Sequence, residues 1–152
     1  MALKSDRYEL QTDISFFYNA AATTRGCVVC HGGTAGTGAA MDQGANLCAK
    51  SASSSAKVLG ILLNDVVDKD LTRTHLNQYK DEVQKGGKVT VLRKGYVVTN
   101  DITDLASVDA GDPAYQCETT AGNIATSGTN VIGVFLSAED ADGYAKVEVN
   151  LP

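Results

Sequence analysis

The chain has 152 residues, 43% of them hydrophobic and 20% charged, with 15 Gly, 2 Pro, 4 Cys and a formal net charge of −5. That length fits one domain with a core that needs no metal or disulfide, and the composition excludes a disordered chain. Charge is uneven: residues 1–100 carry 12 basic and 9 acidic side chains (+3), residues 101–152 one Lys and 9 acidic residues (−8). An acidic C-terminal third argues against general nucleic-acid binding, because phosphate contacts need Lys and Arg. It allows two differently charged faces that orient neighbours in an assembly.

Residues 1–24 read as a polar N-terminal arm whose one sticky spot is DISFFYN, where Ile14, Phe16, Phe17 and Tyr18 lie close together. Its charges leave no apolar stretch of the kind a signal peptide needs, so an unexported chain with reduced thiols is expected. CVVCH (27–31) is β-branched at its centre and closed by Gly32 and Gly33. GGTAGTGAAMDQGAN (32–46) and SASSSA (51–56) read as loops. KVLGILLND (57–65) is a short apolar run bounded by turn residues, the pattern of a buried strand. Its VLGILL core, the longest apolar run, is far too short to span a bilayer as a helix.

Residues 68–87 are ambiguous. Leu76, Tyr79 and Val83 fall at i, i+3, i+7 and Gly86 suits a helix end, yet the apolar face is thin and a long excursion loop fits equally. KVTVLRKGYVVTND (88–101) reads as two strand pieces with Gly95 as a kink or bulge. NVIGVFLS (130–137) reads as a strand, and Asp142-Gly143 suits a type I′ turn. In YAKVEVNL (144–151), Ala145, Val147, Val149 and Leu151 face one side and Tyr144, Lys146, Glu148 and Asn150 the other. KVLGILLND and NVIGVFLSA also resemble each other, each with a mid-strand Gly where another backbone would approach closely. Together these patterns predict a mainly β fold, a small β-barrel or sandwich over 25–152, preceded by the 1–24 arm and interrupted by one long excursion that is helix or loop.

RGCVVCHGG (25–33) spells the C-x-x-C-H signature of c-type haem attachment, and its two thiols invite redox or zinc readings. Each reading fails on the residues. Haem attachment requires export, and the available sixth ligands are Met41, in a Gly-rich loop, and His75. Val28 and Val29 are stiff and favour extended chain. In a strand, residues i and i+3 point to opposite faces about 10 Å apart, beyond the roughly 7 Å between Cα atoms that a disulfide allows. Zinc needs a tight C-x-x-C turn and a second half-site, and only Cys48 and Cys117 remain. If the segment is a strand, Cys27, Val29 and His31 share one face and Val28 and Cys30 the other, and the thiols act as small packing groups. HGGTAGTGAA lacks the phosphate-loop pattern, AEDADG lacks the carboxylates of a calcium loop, and two His supply no evident Ser-His-Asp set. The expectation is no catalytic residue, no cofactor and no metal.

The ordered segments RGCVVCHGG, KVLGILLNDV, GGKVTVLRKGYVVTN, GDPAYQCETTAGNI and NVIGVFLSAEDADGYAKVEVNL resemble the small capsid decoration (cement) proteins of tailed bacteriophages, over about 25–152 and most closely over 111–151. The resemblance implies a β-barrel-like, non-enzymatic virion protein that binds the outer surface of a phage head. It also implies a homotrimer, contact with the major capsid protein, assembly in the host cytoplasm, and no nucleic-acid or membrane partner. The expected capsid or inter-subunit contacts are Ile14, Phe16, Phe17 and Tyr18 of the arm and Leu76 and Tyr79 of the excursion. The competing readings are another virion component (tail tube, head-fibre base or connector) and, further off, a haem or metal protein using the CVVCH segment.

Overall fold

The computed structural model describes residues 2–33, 46–70, 72–73 and 82–152. The closing hairpin forms as its alternation requires. Strand β11 (Val131–Phe135) pairs antiparallel with β12 (Ala145–Asn150), and β12 buries Ala145, Val147 and Val149 while Glu148 stays exposed. The tip differs from the expected type I′ turn. Gly143 alone takes a left-handed conformation there (φ +80°), where type I′ would need positive φ at two adjacent residues. The Asp140 carboxylate closes the loop instead, accepting hydrogen bonds from the backbone N–H groups of Asp142 and Tyr144, both at 2.9 Å.

β12 in turn pairs with the longest strand, β8 (Val91–Thr99), in unbroken register from Ala145 opposite Thr99 to Asn150 opposite Lys94. The two strand pieces expected over 88–101 are therefore one strand. Gly95 sits inside it at φ +141°, at an irregularity in the pairing with β1 (Tyr8–Asp13). The remaining strands are β2 (Phe17–Tyr18), β3 (Val28–His31), β4 (Leu47–Ala49), β5 (Val58–Leu62), β6 (Asp65–Val67), β7 (Glu82–Gln84), β9 (Pro113–Gln116) and β10 (Ile124–Ala125). The large sheet runs β10-β9-β11-β12-β8-β5-β3-β4-β2, with β1 added on β8. It is mixed, because β2 joins β4 in parallel.

The fold is mainly β, as predicted, but it is not a closed barrel. The path ends on two two-residue strands, β10 and β2, and no ladder joins them. The sheet buries two hydrophobic clusters instead. One gathers Val28, Cys30, Ile61, Leu92, Val97, Ile132, Phe135 and Val147; the other gathers Tyr18, Cys27, Val29, Cys48, Leu59, Leu62 and Val91. β3 is buried on both faces and lies between them, which is why its short apolar run does not alternate with polar residues.

The two look-alike segments are β5 and β11; β5 pairs with β8 and β11 pairs with β12. Their mid-strand glycines do what the repeat predicts. A Cβ on Gly60 would collide with the Leu92 carbonyl oxygen of β8, and a Cβ on Gly133 with the Glu148 carbonyl oxygen of β12.

The first 24 residues join the sheet. Lys4 N–H donates to Val98 O at 2.8 Å, Asn100 N–H to Ala2 O at 3.0 Å, and Leu3 is buried in the first cluster. In the 68–87 excursion, Thr72 and Arg73 form a short 3-10 turn, and the helical reading fails at Val83 and Gly86. Val83 lies in β7, which pairs in parallel with β6, and Gly86 follows a strand rather than a helix. Residues 71 and 74–81, with Leu76 and Tyr79, lie outside the described residues. The excursion's base is pinned by Arg25, whose backbone N–H (2.8 Å) and guanidinium (3.1 Å) both bind the Asp65 carboxylate.

Two predictions follow from these contacts. Gly133→Ala meets a carbonyl held in a ladder that cannot yield, so it should cost about 1–3 kcal/mol or more. Gly111→Ala has open space and only a positive φ to strain it (+99°), and should cost about 1 kcal/mol; urea midpoints of the two variants would show this order. The Asp65 carboxyl is raised by burial but lowered further by its Arg25 hydrogen bonds, so its folded pKa lies below the ordinary value. The pair's contribution is therefore present above about pH 4 and lost as pH falls through the depressed pKa. Asp65→Asn should lower stability at pH 7 by about 1–3 kcal/mol and flatten the acid limb of a stability–pH profile.

Candidate functional site

The CVVCH segment forms no site. Cys27 with Val29 enters one cluster and Val28 with Cys30 the other, the alternation that an extended chain predicts. The two thiols therefore point apart across the sheet. His31 ends β3 exposed, in register with Cys48 and edge-on to the Phe16 ring (centroids 5.2 Å apart). Burial pushes the Cys27 and Cys30 thiols up to about 11 and Cys48 to about 12, so none offers a thiolate near neutral pH. Among the described residues no group of three or more His, Cys, Asp or Glu could hold a metal ion. Met41 and His75 lie outside the described residues.

Cys117 differs. Burial raises its pKa, but hydrogen bonds at 3.3 Å from Thr103 Oγ1, with Thr119 Oγ1 and from the Thr120 N–H outweigh that and hold it down to about 7. It lines a surface cavity of about 390 Å³ with Asp104, Glu118, Thr126 and Ser127; no His, Lys or Arg is among the lining residues.

The expected contact residues separate. Ile14 is 64% exposed. Phe16 and Phe17 are half-buried, Phe16 against His31 and Phe17 under the Lys88 ammonium at 5.6 Å. Tyr18 is a correction: it is 0% exposed and fills the second cluster, because β2 turns its side chain inward beside β4. Leu76 and Tyr79 lie outside the described residues.

A different surface assembles from residues the sequence reading passed over. On the outer face of the large sheet, Val134 sits opposite Glu148, Glu148 opposite Tyr96, and Tyr96 opposite Tyr8. The Tyr8 and Tyr96 rings stack with centroids 6.0 Å apart. Lys146 Nζ lies 3.8 Å from the Tyr96 ring centroid and 3.7 Å from the Asp6 carboxylate. Beside them runs a groove of about 350 Å³ lined by Tyr8, Leu10, Tyr96, Leu136 and Glu148 among others. The available signal was the i, i+2 spacing of Tyr8 and Leu10 on β1, and of Val134 and Leu136 at β11, where Ile132 and Phe135 are buried. The polar residues around Tyr8 hid it.

Comparison with curated proteins gives no match. A family model does match: residues 9–150 fit the family described as structural cement protein (E217 gp24/Pam3 gp6). The match begins in β1 and ends at the last residue of β12, so it takes in nearly the whole sheet, including the glycines that seat β5 and β11 on the central pair. The chain belongs to the phage structural cement protein family.

Proposed function

We propose that this virion protein lies on the outer surface of a phage head, against the major capsid protein, as a homotrimer that assembles in the host cytoplasm and strengthens the shell without catalysis. The observation that carries the reading is the family match over 9–150, which spans nearly the whole large sheet rather than one short motif. The architecture supports it. The largest described elements form one continuous sheet whose strands are fixed by long-range ladders, a rigid body suited to bridging neighbours. The deep thiols of Cys27, Cys30 and Cys48 are spent on packing. Among the described residues no helix is long and apolar enough to cross a membrane.

Within this reading the arm supplies contacts through Ile14, with Phe16 and Phe17 shaping the surface around it, and the excursion supplies further contacts through Leu76 and Tyr79. The acidic C-terminal third, with Glu139, Asp140 and Asp142 at the hairpin tip, and the basic side chains Lys85, Lys88, Arg93 and Lys94 steer the orientation of each copy on the lattice. Individually weak contacts suffice because a shell offers them many times over.

The test adds purified protein to heads that lack it. Binding should saturate at a fixed number of copies per head and raise the temperature at which heads release DNA. Mass measurement should give a trimer, and Ile14→Ser should weaken binding about tenfold, roughly 1.4 kcal/mol. Binding that fails to saturate, or saturates with no gain in head stability, would remove the reading.

A further inference from the structure

We propose that the Asp142–Gly143 bond is a site of spontaneous covalent modification, rearranging to isoaspartate, and that the Lys4 ammonium holds the rate of that rearrangement down.

Sequence and exposure select the site. Asp142–Gly143 is the one Asp-Gly pair in the 152 residues, and no Asn-Gly pair occurs. Glycine matters because the nucleophile is its own backbone nitrogen, and no side chain shields that nitrogen from the preceding carboxyl group. The pair sits at the tip of the closing hairpin, where the Asp142 side chain is 74% exposed and water is at hand. The space is open as well. A Cβ built on Gly143 would find, beyond its chain neighbours, only Glu139 Oε1 at 3.8 Å.

The chemistry needs no partner but water. The Gly143 nitrogen attacks Cγ of the Asp142 carboxyl group. An N–Cγ bond forms, a Cγ–O bond breaks, and the amide proton leaves with the hydroxyl as one water. The product is a five-membered succinimide. Water then opens the ring at one of its two carbonyls. Attack at Cγ restores aspartate. Attack at the main-chain carbonyl breaks its bond to nitrogen and leaves the chain running through Cγ, which is isoaspartate. The composition is unchanged, and the backbone at the tip is longer by one methylene.

The fold engages both reacting groups. Gly143 N–H donates to Asp140 O at 3.1 Å, and Lys4 Nζ donates to Asp142 Oδ2 at 2.9 Å. The Lys4 ammonium is itself fixed. It also bonds Asp140 Oδ2 at 2.8 Å and lies 4.5 Å from the Tyr144 ring centroid. The Lys4 backbone N–H is bonded to Val98 O, and Leu3 beside it is buried. A carboxylate tied to a fixed ammonium turns less readily toward the nitrogen that follows it. The restraint has the size of an exposed ion pair, which contributes little to stability. Its removal should therefore speed the reaction without unfolding the protein.

The experiment incubates wild type, Lys4→Met, Lys4→Arg and Asp142→Glu for weeks at physiological temperature and neutral pH, with wild type also held unfolded in guanidinium chloride. Melting curves establish that each variant is folded. Isoaspartate in the peptide containing Asp142 is followed by peptide mapping and by enzymatic methylation of isoaspartyl groups. It should form fastest in the unfolded chain and slowest in folded wild type. Lys4→Met should be about threefold faster than folded wild type, the rate equivalent of an exposed ion pair. Lys4→Arg, which keeps a cation, should stay near wild type, and Asp142→Glu should give no signal because its ring would be larger. Absence of isoaspartate at Asp142 in the unfolded chain overturns the site. Equal rates in folded wild type and folded Lys4→Met, or a Lys4→Arg rate as high as that of Lys4→Met, overturn the role of Lys4. If Lys4→Met does not fold, wild type decides: a folded rate no slower than the unfolded one overturns the protection. Every arm uses free protein, so the outcome is independent of head binding.

Discussion

The structure depends on the close seating of backbones around the β8–β12 pair. Six consecutive residue pairs hold Ala145–Asn150 against Lys94–Thr99, and the strands outside them, β5 and β11, come near enough that neither Gly60 nor Gly133 has room for a Cβ. A methyl group at either position would meet a carbonyl oxygen that is part of a ladder and cannot move alone. That constraint sets the separation of the strands and, through it, which side chains reach the interior. Val97, Val147 and Val149 fall into the first cluster from the inner side, while Tyr96 and Glu148 are left outside.

The same geometry explains a motif that spells chemistry and performs none. β3 lies two places from β8 in the sheet, covered on both sides, so all its positions up to His31 must be filled by small apolar groups. Cysteine meets that requirement as well as valine does. Alternation then sends Cys27 and Cys30 into different clusters, and burial raises both thiols well above neutral pH. The Val-Val pair that makes the segment a strand is what prevents the cysteines from meeting.

Most of the described strands belong to one large sheet, so the surface they offer consists of that sheet's faces and edges. β1 is attached along β8 and is exposed over nearly its whole length, with Leu3 and Tyr18 buried before and after it. The N-terminal segment is thus an outer strand tied down at both ends, adding Tyr8 and Leu10 to a surface that β8, β12 and β11 continue. For a member of a cement family this arrangement is economical: the core fixes the sheet, and the sheet presents a rigid outer face.

The sequence by itself determined the mainly β class, the β11–β12 hairpin, the faces of β3 and the role of the two mid-strand glycines. Each of these follows from period-two alternation, β-branching or the absence of a Cβ, which act over a few residues. It also carried the family, through the order of its segments. Four things were decided only by tertiary structure. The sheet ends on β10 and β2 instead of closing into a barrel; Tyr18 turns into the core; Val83 extends a parallel pair rather than a helix; and Tyr8, Leu10, Val134 and Leu136 meet on one face. Their causes are pairings between residues up to about 140 positions apart, such as Leu3 with Thr99 and Lys4 with Asp140. Local preference carries no record of such partners, because a strand's neighbours are chosen by what the whole chain can bury.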